Sequence, residues 1–106
     1  MTTIAYAAIW SDNGVQLAGS AKLGSRSLDL DGSAAGRETR RRIAYEDIAS
    51  LHMARDGEAR VAGRPAVVID VRGAGADVRV AIPQPGALHE FMESLTKLTS
   101  ERGAHR

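Results

Sequence analysis

The densest cluster of charged side chains in the sequence is the run Arg37-Glu38-Thr39-Arg40-Arg41-Arg42. Guanidinium groups bind phosphate oxygens through paired hydrogen bonds, so the run is a candidate contact for anionic lipid or nucleic acid. The candidate residues are Arg37, Arg40, Arg41 and Arg42. On a strand, Arg40 and Arg42 point to one face and Arg41 to the other, which divides the cluster. The simpler interpretation is a solvated strand edge that resists aggregation, and exposed aromatic residues for base stacking are scarce.

A second constellation with possible chemistry is His89 and Glu93, four residues apart on a predicted helix. This spacing puts both side chains on one side of the helix, as in the H-E-x-x-H zinc motif, but the second histidine of that motif is absent. A zinc site needs three or four ligands, and the sequence has no cysteine. We therefore expect a surface histidine and no metal.

Signatures of catalysis are missing from the chain. The sequence contains neither a cysteine nucleophile nor a G-x-S-x-G turn. The glycines of Gly73-Ala74-Gly75 precede a predicted strand, so they form a turn rather than a phosphate-binding loop at a helix N-terminus. We expect no catalytic residue, no cofactor and no enzymatic activity.

Composition sets the broad class of protein. A chain of 106 residues with 43% hydrophobic and 25% charged residues is expected to form a single globular domain, residues 1–106. The net charge of +1 gives no overall attraction to nucleic acid or membrane. The longest apolar run, Ile4 to Trp10, is far shorter than the ~20 residues of a membrane span. We expect a cytoplasmic protein without a signal peptide.

The elements that must position these residues are mostly strands. Asn13-Gly14 separates two apolar runs and predicts a hairpin with a type I′ turn. The alternating runs 65–72 and 78–82 predict a second hairpin, whereas the small residues of 31–36 indicate a loop. After Pro83 the apolar period changes to that of a helix. Its apolar stripe consists of Leu88, Phe91, Met92, Leu95 and Leu98.

This order of elements resembles the pleckstrin-homology-like domains, of the PH and GRAM kind found also in bacteria. The resemblance is carried by Leu28-Asp29-Leu30, by Ile43-Ala44-Tyr45-Glu46-Asp47-Ile48, and by the two late strands and the final helix. It implies a mainly β fold, a seven-stranded antiparallel split barrel capped by one C-terminal α-helix. The strands should span about 3–83 and the helix about 86–101. The final helix lacks the tryptophan that many PH domains carry there, and another small antiparallel barrel or an α+β sandwich is the alternative.

The resemblance also implies where a ligand would bind. Phosphoinositide sites of such domains need basic residues around the first hairpin, but here the loop carries Asp12, and Lys22 is the only cation of the second strand. This argues against specific phosphoinositide binding. The family's other site is a groove between the fifth strand and the helix, which accepts a partner segment as an added strand. In this sequence the strand side of that groove is formed by Leu51, Met53 and Ala54.

Four functional hypotheses remain at this point. We expect a non-catalytic binding module that contacts a protein rather than a lipid. The first alternative is peripheral association with anionic lipid or nucleic acid through the arginine run. The second is a small-ligand-binding barrel or an unrecognised enzyme, which would require an internal pocket with converging polar groups. Homo-oligomerisation is a further possibility, with Trp10 and the N-terminal strand pairing with a second copy or, alternatively, packing in the core.

Overall fold

The computed structural model describes residues 4–54, 61–73 and 77–103. These residues form seven strands, one short 3-10 turn at Tyr45–Asp47 and one helix. The elements in chain order are β1 (Ile4–Asp12), β2 (Val15–Leu23), β3 (Ser27–Ala34), β4 (Arg37–Ala44), β5 (Ile48–Met53), β6 (Val67–Val71), β7 (Val78–Ala81) and α1 (Ala87–Gly103). The predicted mainly β fold with a C-terminal helix is confirmed, and the helix lies within two residues of the predicted 86–101.

All seven strands belong to one antiparallel sheet that curls into a half-barrel, in the order β4-β3-β2-β1-β7-β6-β5. Side chains alternate between an inner face, which packs against α1, and an outer face. The inner face carries the core, to which the helix contributes Ala87, Phe91 and Leu95. The largest side chains with less than 2% exposure are Trp10, Tyr45, Phe91, Leu28, Leu30, Ile43, Ile69 and Leu95.

The hairpin at Asn13-Gly14 turns as predicted, whereas the connection between β3 and β4 differs from the prediction. Asn13 and Gly14 both adopt positive φ, 52° and 82°, as a type I′ turn requires. The predicted loop at 31–36 is wrong, because β3 continues to Ala34 and the turn is confined to Ala35-Gly36, with φ of 52° and 79°. Small residues there indicate a tight turn and a close approach of strands rather than an irregular loop.

Trp10 lies at the centre of the sheet. Its side chain is 0% exposed, and its indole Nε1 donates a hydrogen bond to the main-chain oxygen of Asp31 at 2.9 Å. Its strand β1 pairs with β2 on one side and β7 on the other. Trp10 therefore packs in the core, which was the alternative to its pairing with a second copy. Ile9–Asp12 of β1 are paired on both sides, and self-association of the chain stays a prediction.

Part of the outer face is also covered. Val61 and Ala66, from the connection between β5 and β6, bury Ala81 and pack against Ile9. The pair Asp56-Gly57 is typical of a turn, and it lies outside the described residues.

Candidate functional site

The arginine run forms most of β4, which is one edge of the sheet. Arg40 and Arg42 lie on the outer face and are exposed, whereas Arg41 is opposite Leu30 on the inner face and is half-buried. Arg37, near the turn, is exposed. The structure thus divides the cluster between two faces, because side chains on a strand alternate.

The outer-face arginines belong to a groove across β2, β3 and β4, which we call the outer groove. Its volume is about 450 Å³, and the residues that line it are Lys22, Asp29, Leu30, Asp31, Arg40, Arg41 and Arg42. The side chains of Leu30 and Arg41 lie on the inner face, so the charged side chains on the outer face are Lys22, Asp29, Asp31, Arg40 and Arg42. Arg42 Nε lies 3.0 Å from Asp29 Oδ1, and Lys22 Nζ lies 3.8 Å from Asp31 Oδ2. Among the residues that the structure describes, Arg40 has no ion-pair partner. The pairs are solvent-exposed, so each adds little to stability.

Arg41 is held on the other side of the sheet. Its Nη1 lies 3.3 Å from Asp12 Oδ2, and the two side chains are 33% and 25% exposed. The pair joins β4 to β1, which are separated by two strands, so it spans the concave side of the curled sheet. The carboxylate of Asp12 thus pairs with this arginine at the end of the first hairpin.

The second candidate site lies along β5, the other edge of the sheet. The amide of Ala54 donates to the main-chain oxygen of Ala66 at 2.8 Å, which is the side of β6. Because residues of an antiparallel ladder alternate between bonded and non-bonded pairs, the amides of Leu51 and Met53 point away from β6. They point toward the side of β5 on which no strand pairs among the residues that the structure describes, and we call this side the open edge. The side chains of Leu51 and Met53 are half-buried and pack on the core.

Ala54 differs from its two neighbours in the predicted groove. It is only 5% exposed, and its amide is bonded to the β6 side. The structure therefore leaves Leu51 and Met53, but not Ala54, available at the strand edge. The sequence already predicts this difference, because side chains alternate along a strand and Ala54 therefore points to the opposite face from Leu51 and Met53.

The helix that borders β5 is fixed to the sheet through Tyr6. The Tyr6 hydroxyl donates to Glu90 Oε1 at 2.8 Å, and the Tyr6 ring packs edge-on against Phe91 with centroids 5.5 Å apart. Burial raises the pKa of Tyr6 above its ordinary value of 10.0, and the hydrogen bond to Glu90 and that carboxylate's charge raise it further. A hydrogen bond with Ser94 opposes this shift.

Tyr6→Phe is expected to lower stability by about 1 kcal/mol at neutral pH, because the fold loses one hydrogen bond to a carboxylate. A tyrosine whose pKa is higher in the folded chain stabilises the fold fully below its unfolded pKa and loses that effect as pH rises through the folded one. Urea denaturation at several pH values between about 8 and 11 should show the wild type and the variant converging above the ordinary pKa of 10.0. Curves that remain parallel over this range would contradict the assigned role.

His89 and Glu93 bind each other rather than forming part of a ligand cluster. His89 Nε2 lies 3.2 Å from Glu93 Oε1, and the side chains are 78% and 70% exposed. No group of three potential metal ligands occurs among the residues that the structure describes.

The interior of the half-barrel is occupied by its own side chains. Trp10 and Phe91 are both 0% exposed, and Tyr45 is 1% exposed. The Tyr45 hydroxyl donates to the main-chain oxygen of Gly24 at 2.7 Å, so its polar atom is satisfied within the fold.

Sequence reasoning missed the acidic partners that define both arginine environments. The strand register places Asp29 opposite Arg42 and Asp31 opposite Arg40. The signal was present in the alternation of Leu28-Asp29-Leu30-Asp31, once β3 and β4 are recognised as neighbours. The contact of Asp12 with Arg41 depends on the curl of the sheet, which no local pattern encodes.

Comparison with known proteins supports the fold and leaves the function open. No family model matches the chain, and no curated protein matches it in sequence. A crystal structure described as the C-terminal domain of an unknown protein from Leishmania infantum is similar, with a TM-score of 0.67 and 10% sequence identity. The similarity covers 91% of this chain and 81% of that chain, and at this identity it shows the fold alone. Within the described residues, no helix has both the length and the apolarity to cross a membrane.

Proposed function

We propose that this chain is a non-catalytic binding module of pleckstrin-homology-like fold that takes an extended segment of a partner protein as an added strand along β5. The observation that carries the proposal is the open edge of β5, where the amides of Leu51 and Met53 point away from β6. Main-chain hydrogen bonds to such an edge supply affinity, and side-chain contacts supply specificity. The half-buried side chains of Leu51 and Met53 offer apolar contact to an incoming segment.

The two edge strands of the sheet, β4 and β5, differ in how readily they can pair with an added strand. The β4 edge carries Arg37, Glu38, Arg40, Arg41 and Arg42, and charged side chains at an edge discourage pairing with another strand. The β5 edge reads Ile48-Ala49-Ser50-Leu51-His52-Met53 and carries no carboxylate, lysine or arginine. Strand addition is therefore favoured at β5.

Protein is favoured over lipid as the partner because the first hairpin is electrostatically unsuited to phosphoinositides. Asp12 stands at its end and pairs with Arg41. The cytoplasm is the compartment that we propose, since the core closes around Trp10, Phe91 and Leu95 without a disulfide.

Selection of binders from a random peptide library tests the proposal. Peptides enriched on the wild-type chain are expected to slow hydrogen exchange at the amides of Leu51 and Met53. The amides of His52 and Ala54 serve as internal controls, because they face β6 and should change little. A second readout is the variant Met53→Asp, which should weaken binding at least ~10-fold by placing a charge at the edge.

The matched control is Thr39→Asp, which places the same charge on the β4 edge, where Thr39 is exposed. It should bind the selected peptides as the wild type does. Thermal melts establish that both variants are folded. Peptides that bind Met53→Asp and wild type equally well, or that protect β4 instead, would show that β5 is not the docking edge.

A further inference from the structure

The outer groove contains two arginines, Arg40 and Arg42, whose guanidinium N–H donors are not all occupied by ion pairs. Arg40 and Arg42 are two residues apart on β4 and lie on the same face, so their Cα atoms are about 6–7 Å apart. Arg42 uses its Nε for Asp29. A guanidinium group has five N–H donors, so the Nη groups of Arg42 remain able to bind a second acceptor. Arg40 has no ion-pair partner within the described part of the chain.

We infer that the outer groove binds a small dianionic oxyanion, of the phosphate monoester class, between Arg40 and Arg42. Each guanidinium can donate a pair of hydrogen bonds to one such group. Lys22 lies on β2, two strands away from β4, in the same row as Asp29 and Arg42, and adds a third positive charge to the groove. This site lies on the face of the sheet opposite Arg41 and is separate from the edge of β5.

The carboxylates of the groove set the kind of anion that fits. Asp29 accepts from Ser27 as well as pairing with Arg42, and Asp31 accepts from Ser20 as well as pairing with Lys22. The three cations and two carboxylates leave the groove one positive charge. Glu38, which lines an adjoining hollow of about 320 Å³ with Asp31 and Arg40, limits the site on that side.

These charges favour a small soluble ligand over a polyanionic surface. A membrane or a nucleic acid brings many phosphates at once, and Asp29, Asp31 and Glu38 would repel those beyond the first. The groove volume of about 450 Å³ lies within the range of small-molecule sites. The ligand class is therefore a compact phosphorylated molecule.

Titration of the full chain with inorganic phosphate tests the inference. The experiment is done at low ionic strength and about pH 8, where phosphate carries close to two charges, with the side-chain N–H signals of arginine followed by NMR. We expect saturable shifts at Arg40 and Arg42. Arg40→Ala should weaken the apparent affinity at least ~10-fold, and Asp31→Asn should strengthen it about 2–5-fold by removing a repelling charge.

Arg37→Ala is the matched control, because it removes one exposed arginine of the same strand outside the groove. It should leave phosphate affinity within about twofold of the wild type, since only distant charge is lost. If Arg37→Ala and Arg40→Ala weaken phosphate affinity equally, or if the NMR shifts do not saturate with phosphate, the binding is nonspecific charge attraction. Either result would overturn the inference. Arg40-dependent binding to phosphatidylserine vesicles without any saturable phosphate shift would overturn it in favour of a membrane surface. Peptide docking at β5 is measured independently, so either proposal can fail alone.

Discussion

Replacing Gly19 with alanine is expected to destabilise the fold by about 3 kcal/mol or more, with a fall in melting temperature of roughly 10–20 °C. Gly19 of β2 is paired with Gly32 of β3, where the two strands approach closely. A Cβ atom at Gly19 would lie 2.1 Å from the main-chain oxygen of Asp31 and 2.5 Å from Gly32 Cα. Both obstacles are backbone atoms, so no side-chain rotation can relieve the clash and the strands must separate.

Gly24→Ala provides the control for Gly19→Ala. The substitution is chemically identical, but the nearest obstacle to a Cβ at Gly24 is the main-chain oxygen of Ser27 at 3.3 Å. We expect a cost below about 1 kcal/mol there, measured by urea denaturation followed by circular dichroism. Similar losses at the two positions would mean that the approach of β2 and β3 is not a constraint on the fold.

Trp10→Ala is expected to cost about 3–5 kcal/mol, a large part of the stability of a domain of this size. The indole is 0% exposed and lies against β3, where a Cβ at Gly32 would be 3.0 Å from its Nε1. Truncation leaves a cavity at the centre of the sheet and removes the hydrogen bond to Asp31. Trp10→Phe should cost less, because it keeps an aromatic ring and loses the donor.

Val15→Ala is the reference for Trp10→Ala, since Val15 is 54% exposed on β2. A change within about 0.5 kcal/mol is expected for it. The series is followed by circular dichroism, because Trp10 is the only tryptophan in the sequence and its fluorescence disappears with the substitution. A Trp10→Ala loss as small as that of Val15→Ala would contradict the central packing of the indole.

The elements that sequence predicted well are those specified by local patterns. Leu28 and Leu30 alternate with aspartates, Asn13-Gly14 is the favoured pair for a type I′ turn, and the stripe containing Phe91 and Leu95 has helical period. Each of these depends on residues close together in the chain. The β5 strand was also predicted, despite the irregular spacing of its apolar residues.

What sequence could not predict depends on contacts between distant strands. The stretch 31–36 has the composition of a loop, but Gly32 is small because the indole of Trp10 lies on it. The pairing of Arg41 with Asp12 requires the sheet to curl, and the location of Trp10 inside the sheet requires β7 to pair with β1. The sequence shows the residue types of both candidate sites. The positions of Asp29 and Asp31 beside basic residues follow from the strand register, and that of Asp12 follows from the curl of the sheet.

The pairing of β1 with β7 affects how the chain folds while it is being synthesised. Ile9–Asp12 of β1 can form hydrogen bonds with β7 only after Val78–Ala81 has been synthesised. One side of this part of β1 therefore stays unpaired while the chain emerges from the ribosome. During that interval the meander of β1 to β4 presents an unpaired edge and an apolar face that α1 will later cover. Contacts of such large sequence separation form slowly, and exposed edges promote aggregation. A chain whose synthesis stops before residue 78 is therefore expected to aggregate more readily than the full sequence.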